Sequence, residues 1–273
     1  MRYGTAVFTA FLVISAGLHL ASPEPAGSQT QIGIFAPGER LQYKVKWLFF
    51  RLGTIVVTTE RLPDTVGKYL ATIILDSNPD LFFISIHNRY EAVVNVEPVR
   101  CDLLRAMEVD GSDTLVTGYV FVDSLKRIYM HQRLLPADSL IRTEVRDIVN
   151  RFFDGASLFF FARTMIHHDS TIAVPTLVEF DMFQTHMTFT RIPVLASIGA
   201  LDDPIETLEV SGRAEFEGKT FGGFSGDFKG WFSNDHAAVP IRAEMSITLG
   251  TVDVELEQWS RPGWTPPIIN EDQ

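Results

Sequence analysis

From Leu41 onward the chain alternates. Leu41, Tyr43, Val45 and Trp47 are apolar, while Gln42, Lys44 and Lys46 between them are polar. A period of two sends successive side chains to opposite faces, so this run can bury a single face only as a strand. The pattern returns in short runs over 53–60, 69–75, 89–96, 100–109, 115–122 and 124–132. It resumes over 170–174, 177–183, 186–191, 205–216, 223–233, 239–247 and 251–259. Turn residues such as Leu62-Pro63-Asp64 and Asp110-Gly111 separate the runs, which predicts an antiparallel meander. Residues 134–153 read both ways: Ile141, Val145, Ile148 and Val149 keep helical spacing, while β-branched content and Pro136 favour a strand. One helix is clear. Asp154 can cap it, and 156–166 carries Leu158, Phe159, Phe161, Ala162 and Met165 around a mostly apolar cylinder, which suits burial against a sheet face.

No repeat or linker interrupts the chain between Phe35 and Trp259. The expected fold class is therefore mainly β: a single large curved antiparallel sheet or incomplete β-barrel with one buried short helix, forming one domain over 34–260. Before it, Arg2 and an uncharged apolar run over 6–20 match a secretory signal peptide over 1–21, followed by a Pro/Gly/Ser linker over 22–33. Export to the periplasm or cell envelope follows as an expectation, with no transmembrane span left after cleavage. An irregular tail with three prolines is expected over 261–273. The single cysteine, Cys101, permits no intramolecular disulfide and reads as a small buried residue. A net charge of -11 without any basic block argues against a nucleic-acid partner.

The familiar catalytic patterns fail on spacing. Gly218-Lys219-Thr220 resembles the end of a phosphate loop, but Arg213 stands where its first glycine belongs. Gly223-Phe224-Ser225-Gly226 is one residue short of a nucleophile elbow. His167-His168-Asp169 is the only histidine cluster, and adjacent side chains diverge. A metal-assisted hydrolase, the enzymatic alternative, requires His167 or His168 to converge with His186 or His236 and a carboxylate. No catalytic residue, metal site or cofactor is assigned. Arg163, on the apolar helix, needs a buried partner, and Asp147, Asp154 and Asp235 are candidates for a structural salt bridge. The chain also carries 21 phenylalanines. On a curved sheet they either fill a core or line a cavity. Phe83, Phe159, Phe161, Phe183, Phe189 and Trp231 are the candidate lining of a site for an apolar small molecule or acyl chain. The alternative is a structural or interaction protein of the envelope, with a filled core, no small-molecule ligand and an envelope protein as partner.

Several segments together resemble a known family. They are Phe35-Ala36-Pro37-Gly38-Glu39-Arg40-Leu41-Gln42-Tyr43, Gly53, the Asp154-Gly155-Ala156-Ser157 start of the helix through Arg163, and Lys229-Gly230-Trp231-Phe232-Ser233-Asn234-Asp235 through Pro240-Ile241 to Gly250. In that order and spacing the chain is similar to the bacterial exported proteins of domain-of-unknown-function family 3108. The resemblance implies a secreted β-rich fold and no established catalytic residues. Asn234 stands where the family commonly has a second acidic residue. A more distant similarity, of architecture only, is to periplasmic lipoprotein carriers with a half-barrel and a helical lid.

Overall fold

The computed structural model describes residues 33–81, 85–215, 226–247 and 250–269. Among them the chain forms one antiparallel sheet of fourteen strands, left open, and one α-helix. A first meander runs through β1 (Glu39–Trp47), β2 (Phe50–Arg61), β3 (Lys68–Ser77), β4 (His87–Val96), β5 (Val99–Asp110), β6 (Asp113–Val122), β7 (Arg127–Leu135) and β8 (Ser139–Asp147). The helix α1 (Gly155–Met165) follows. A second meander comprises β9 (Ser170–Val178), β10 (Asp181–Ala196), β11 (Ile205–Ala214), β12 (Gly226–Ser233), β13 (Pro240–Ile247) and β14 (Gly250–Ser260).

The two meanders join through their outermost sequence elements. β1 pairs with β14, Tyr43 opposite Leu256 and Val45 opposite Val254, so the first and last strands lie in the middle of the sheet. β8 and β9 are left as its two edges, and α1 links them in sequence. The alternation of β1 is realised directly: Leu41, Tyr43 and Val45 are buried, while Gln42, Lys44 and Lys46 are half-buried on the other face. At two positions glycine is required. Gly53 sits so close to β3 that a Cβ would come within 2.2 Å of the Asp76 carbonyl, and Gly111 turns the β5–β6 hairpin with φ at 61°.

The unpaired seam between β8 and β9 is bridged by side chains. Arg146 Nη2 donates to Phe180 O at 2.8 Å, and the Arg142 guanidinium lies 4.1 Å from the Phe180 ring centroid. Phe153, just before the helix, forms a parallel bridge to β9 by exchanging backbone hydrogen bonds with Pro175 and Leu177 at 2.9 and 2.7 Å.

The helix divides the interior into two apolar clusters. On one side Phe35 stacks on Phe160 with centroids 4.6 Å apart, and Phe152 meets Tyr119 and Phe121 edge-on. On the other, Phe153 packs on Phe161 at 4.4 Å beside Ile166, Met187, Phe189 and Leu208. Each fully buried side chain of this size contributes about 1.5–3 kcal/mol relative to exposure.

One open reading is settled and one expectation changes. The ambiguous 134–153 stretch holds β8 rather than a helix, and its exposure on nearly every side chain explains why neither period dominates. The runs over 170–191 form two strands, not three: the chain reverses at Glu179, whose φ is 55°, inside the run expected over 177–183. The described tail, 261–269, forms neither helix nor strand, and it is packed. Arg261 and Trp264 are buried, and Ile268 bridges Ile205. The expected signal peptide and all of the linker except Gly33 lie outside the described residues.

Candidate functional site

The most densely connected polar site lies at the carboxyl end of α1. Pro37-Gly38 turns the chain into β1, with Glu39 N donating to Ala36 O at 3.0 Å. In phase with Leu41, Tyr43 and Val45, Glu39 points to the inner face and is completely buried. Arg163 reaches it from the helix, also with no exposed surface. Its Nη1 and Nη2 donate to the two Glu39 carboxylate oxygens at 2.8 and 3.1 Å, a bidentate pair. Nε donates to Ala238 O at 3.1 Å and Nη2 also to Ala237 O at 2.9 Å. Arg261, just beyond β14, donates to the same Glu39 carboxylate and to Gly33 O.

The β12–β13 connection is built to present those carbonyls. Asp235 Oδ1 accepts from the backbone of Ala237 and Ala238 at 2.8 and 3.0 Å, and Ser233 Oγ accepts from Val239 N at 2.8 Å. Trp264 Nε1 donates to Asp235 Oδ2 at 2.8 Å, so the tail also holds this turn. Burial pushes the Arg163 guanidinium down to about 10, against the pull of Tyr43 and Asp235, and burial pushes Arg261 down to about 10. Both still carry full charge at neutral pH. Tyr43 donates to Pro240 O at 3.1 Å, and burial pushes its phenol well up. Every group here is engaged with another. The cluster clamps helix, first strand, turn and tail together; it offers no nucleophile and no open coordination face.

A second polar cluster sits at the amino end of α1. Asp154 Oδ1 accepts from Ser157 N at 2.7 Å while Ser157 Oγ accepts from Asp154 N at 2.9 Å, a reciprocal capping box. Tyr119 OH donates to Asp154 Oδ2 at 2.6 Å. The nearby Cys101 thiol donates to Leu103 O. Burial, aided by the Asp154 charge, pushes both the Cys101 thiol and the Tyr119 phenol well above their ordinary values. The thiol is therefore protonated and inert at neutral pH.

The structure departs from the partners expected for Arg163. Asp147 pairs with Arg127, Asp154 caps the helix, and Asp235 organises the turn beside it; the bonded carboxylate is Glu39. The signal for Glu39 was its register: an acid at the inner-face position of an otherwise apolar alternation.

Among the aromatic candidates, Phe189 is buried in the second cluster and Phe161 packs against it. Phe159 and Trp231 pack against the first cluster, the latter with Arg242 5.4 Å over its ring. Phe183 is half-buried on β10, and Phe83 lies outside the described residues. These side chains do not line the surface pocket of about 440 Å³ on β10–β14, whose walls include His186, Arg213, Phe228, Lys229 and Glu244.

His167 Nε2 lies 2.9 Å from Asp235 O, and His186 pairs with Glu215 at 3.2 Å. Among the described residues, no three His, Cys, Asp or Glu side chains gather as a metal site would require. The phosphate-loop resemblance at 218–220 and the elbow-like 223–225 lie outside the described residues.

No protein-family profile matches the chain, and no curated protein matches it by sequence. A solved structure does match its shape: the crystal structure of a beta-barrel-like protein of domain of unknown function DUF1849 from Brucella abortus. The TM-score is 0.54 with 8% identity, over 85% of this chain and 100% of that one. At that identity the likeness is one of fold: the open antiparallel sheet of this chain resembles a protein described as beta-barrel-like, from a family of unknown function.

Proposed function

We propose that this protein is a non-catalytic, exported cell-envelope protein that holds an apolar ligand or acyl chain against the concave face of its sheet. One observation carries the reading. The helix packs chiefly on β4, β5 and β9, while Trp47, Leu52, Ile55, Ala243 and Met245 of the central strands pack against the core without being fully buried. This apolar surface gains about 25 cal/mol for each Å² that a ligand removes from water. The expected export segment supports the address. Glu39, Arg163 and the 233–239 turn, three parts of the resemblance to family 3108, converge in one cluster.

Native mass spectrometry of protein recovered from its own periplasm, together with sequencing of its amino terminus, tests this reading. An adduct of lipid mass and a start near residue 22 are the expected results. Brominated fatty acid should quench fluorescence in the purified protein, and less so in Trp47→Phe. Unquenched fluorescence and a bare mass would reject the ligand.

A second reading is favoured by the aromatic filling around α1, with Phe160, Phe152 and Phe161 each locked in ring contacts. In it the interior is a solid core, and the protein is a structural or interaction protein that meets an envelope partner through its surface.

A further inference from the structure

An antiparallel sheet that closes on itself has no edges; this one keeps two, and they are not alike. β9 already gives part of its edge to Phe153. β8 does not: among the described residues no backbone hydrogen bond is made on its free side. Its side chains are exposed or half-exposed throughout, Ile141 at 53% and Val145 at 56%, and Val149 just beyond it at 89%. An open edge is usually blunted by a lysine, a proline or inward charges. β8 has no lysine and no proline, and its charges Arg142, Glu144 and Arg146 pair along the strand, with Arg146 also reaching Phe180 O across the seam.

The charge pattern along the strand selects its partner. Ile148 N donates to Lys126 O, so the alternation of the ladder aims the backbone groups of Asp147, Val145 and Thr143 at the free side. Consider a second β8 laid antiparallel on that side with Val145 opposite its own copy. Glu144 then faces Arg146, and Arg146 faces Glu144. Thr143 meets Asp147 at both ends of the regular segment. Sliding the strands by two residues instead sets Glu144 against Glu144 and Arg142 against Arg146, with like charges opposed. The irregularity in the β7–β8 ladder, between Gln132 and Arg133, lies outside the Thr143–Asp147 segment.

We propose that β8 is a self-recognition edge: two copies of this chain pair antiparallel through β8 about a two-fold axis at Val145, joining their sheets into one. Such an interface is isologous and closes at two chains. It adds backbone hydrogen bonds where each chain has none, and it covers Val145.

The test is light scattering and sedimentation of the folded, purified protein over a dilution series. A two-chain mass that dissociates on dilution is expected. Val145→Pro removes an N–H that makes no bond within the chain, so it should yield a folded single-chain species with the wild-type circular dichroism. Glu144→Arg should weaken the dimer at least tenfold by setting arginine against arginine; the exchange Glu144→Arg with Arg146→Glu, which also removes the Arg146 bond to Phe180 O, should restore it in protein that keeps the wild-type circular dichroism. Val145→Cys places two thiols across a hydrogen-bonded pair about 5.5 Å apart at Cα, within disulfide reach. It should give a covalent dimer under mild oxidation. A single-chain mass at every concentration overturns the proposal, as does an open-ended series of masses or a charge exchange that fails to restore the dimer.

Discussion

The two ends of α1 are both fixed by buried polar clusters, but they are fixed differently. At the amino end a carboxylate is held by neighbours three residues away, Ser157 N and Oγ, with Tyr119 as one distant donor. At the carboxyl end an arginine is held by a glutamate 124 residues away and by two carbonyls of the β12–β13 turn. The first cluster is a property of the helix and survives wherever the helix forms. The second exists only when the first strand, the turn and the tail are all in place. One end reports secondary structure; the other reports the assembled fold.

That contrast can be broken from its strongest point downward. Glu39→Ala strands two buried guanidinium groups without their carboxylate and should cost about 3–5 kcal/mol in urea unfolding. A loss below 1 kcal/mol would mean that the carboxyl end is not the fold's clamp. Arg163→Met, which leaves Glu39 paired to Arg261 and fills similar volume, should cost clearly less than Glu39→Ala in the same titration. At the other end, Asp154→Ala removes the cap and orphans the Tyr119 hydroxyl, for about 1–2 kcal/mol. Ser157→Ala keeps the carboxylate and should cost about 1 kcal/mol. Smallest of all, Cys101 should react with a thiol reagent only on opening of the amino end. Asp154→Ala should therefore speed labelling relative to wild type by roughly the tenfold that 1.4 kcal/mol represents. Equal labelling rates would show that Cys101 is uncovered by some other motion.

The same division explains what could be read from sequence. Alternation gave the sheet because its cause is local: inner and outer positions differ residue by residue, as Leu41, Tyr43 and Val45 show against Gln42, Lys44 and Lys46. The cap at Asp154 was legible for the same reason. β8 was not, because a strand exposed on both faces carries no period. The turn at Glu179 was missed because its residues are not typical turn formers. The pairing of β1 with β14 and the choice of Glu39 over Asp147, Asp154 or Asp235 depend on distant parts of the chain meeting. No window along the sequence contains both halves of either contact.

The central position of β1 and β14 sets a timetable for folding. A chain that emerges from a ribosome, or threads through a membrane pore, delivers β1 first and β14 last. Yet β1 cannot find its second neighbour, nor Glu39 its Arg261, until the final strand has emerged. The first meander can form early, but with an open flank down what becomes the middle of the sheet. The closing event is thus a contact between the ends of the body, the slowest kind for a chain to find. Truncation at the carboxyl side would remove not a margin but the sheet's keystone, leaving two half-sheets without a common core.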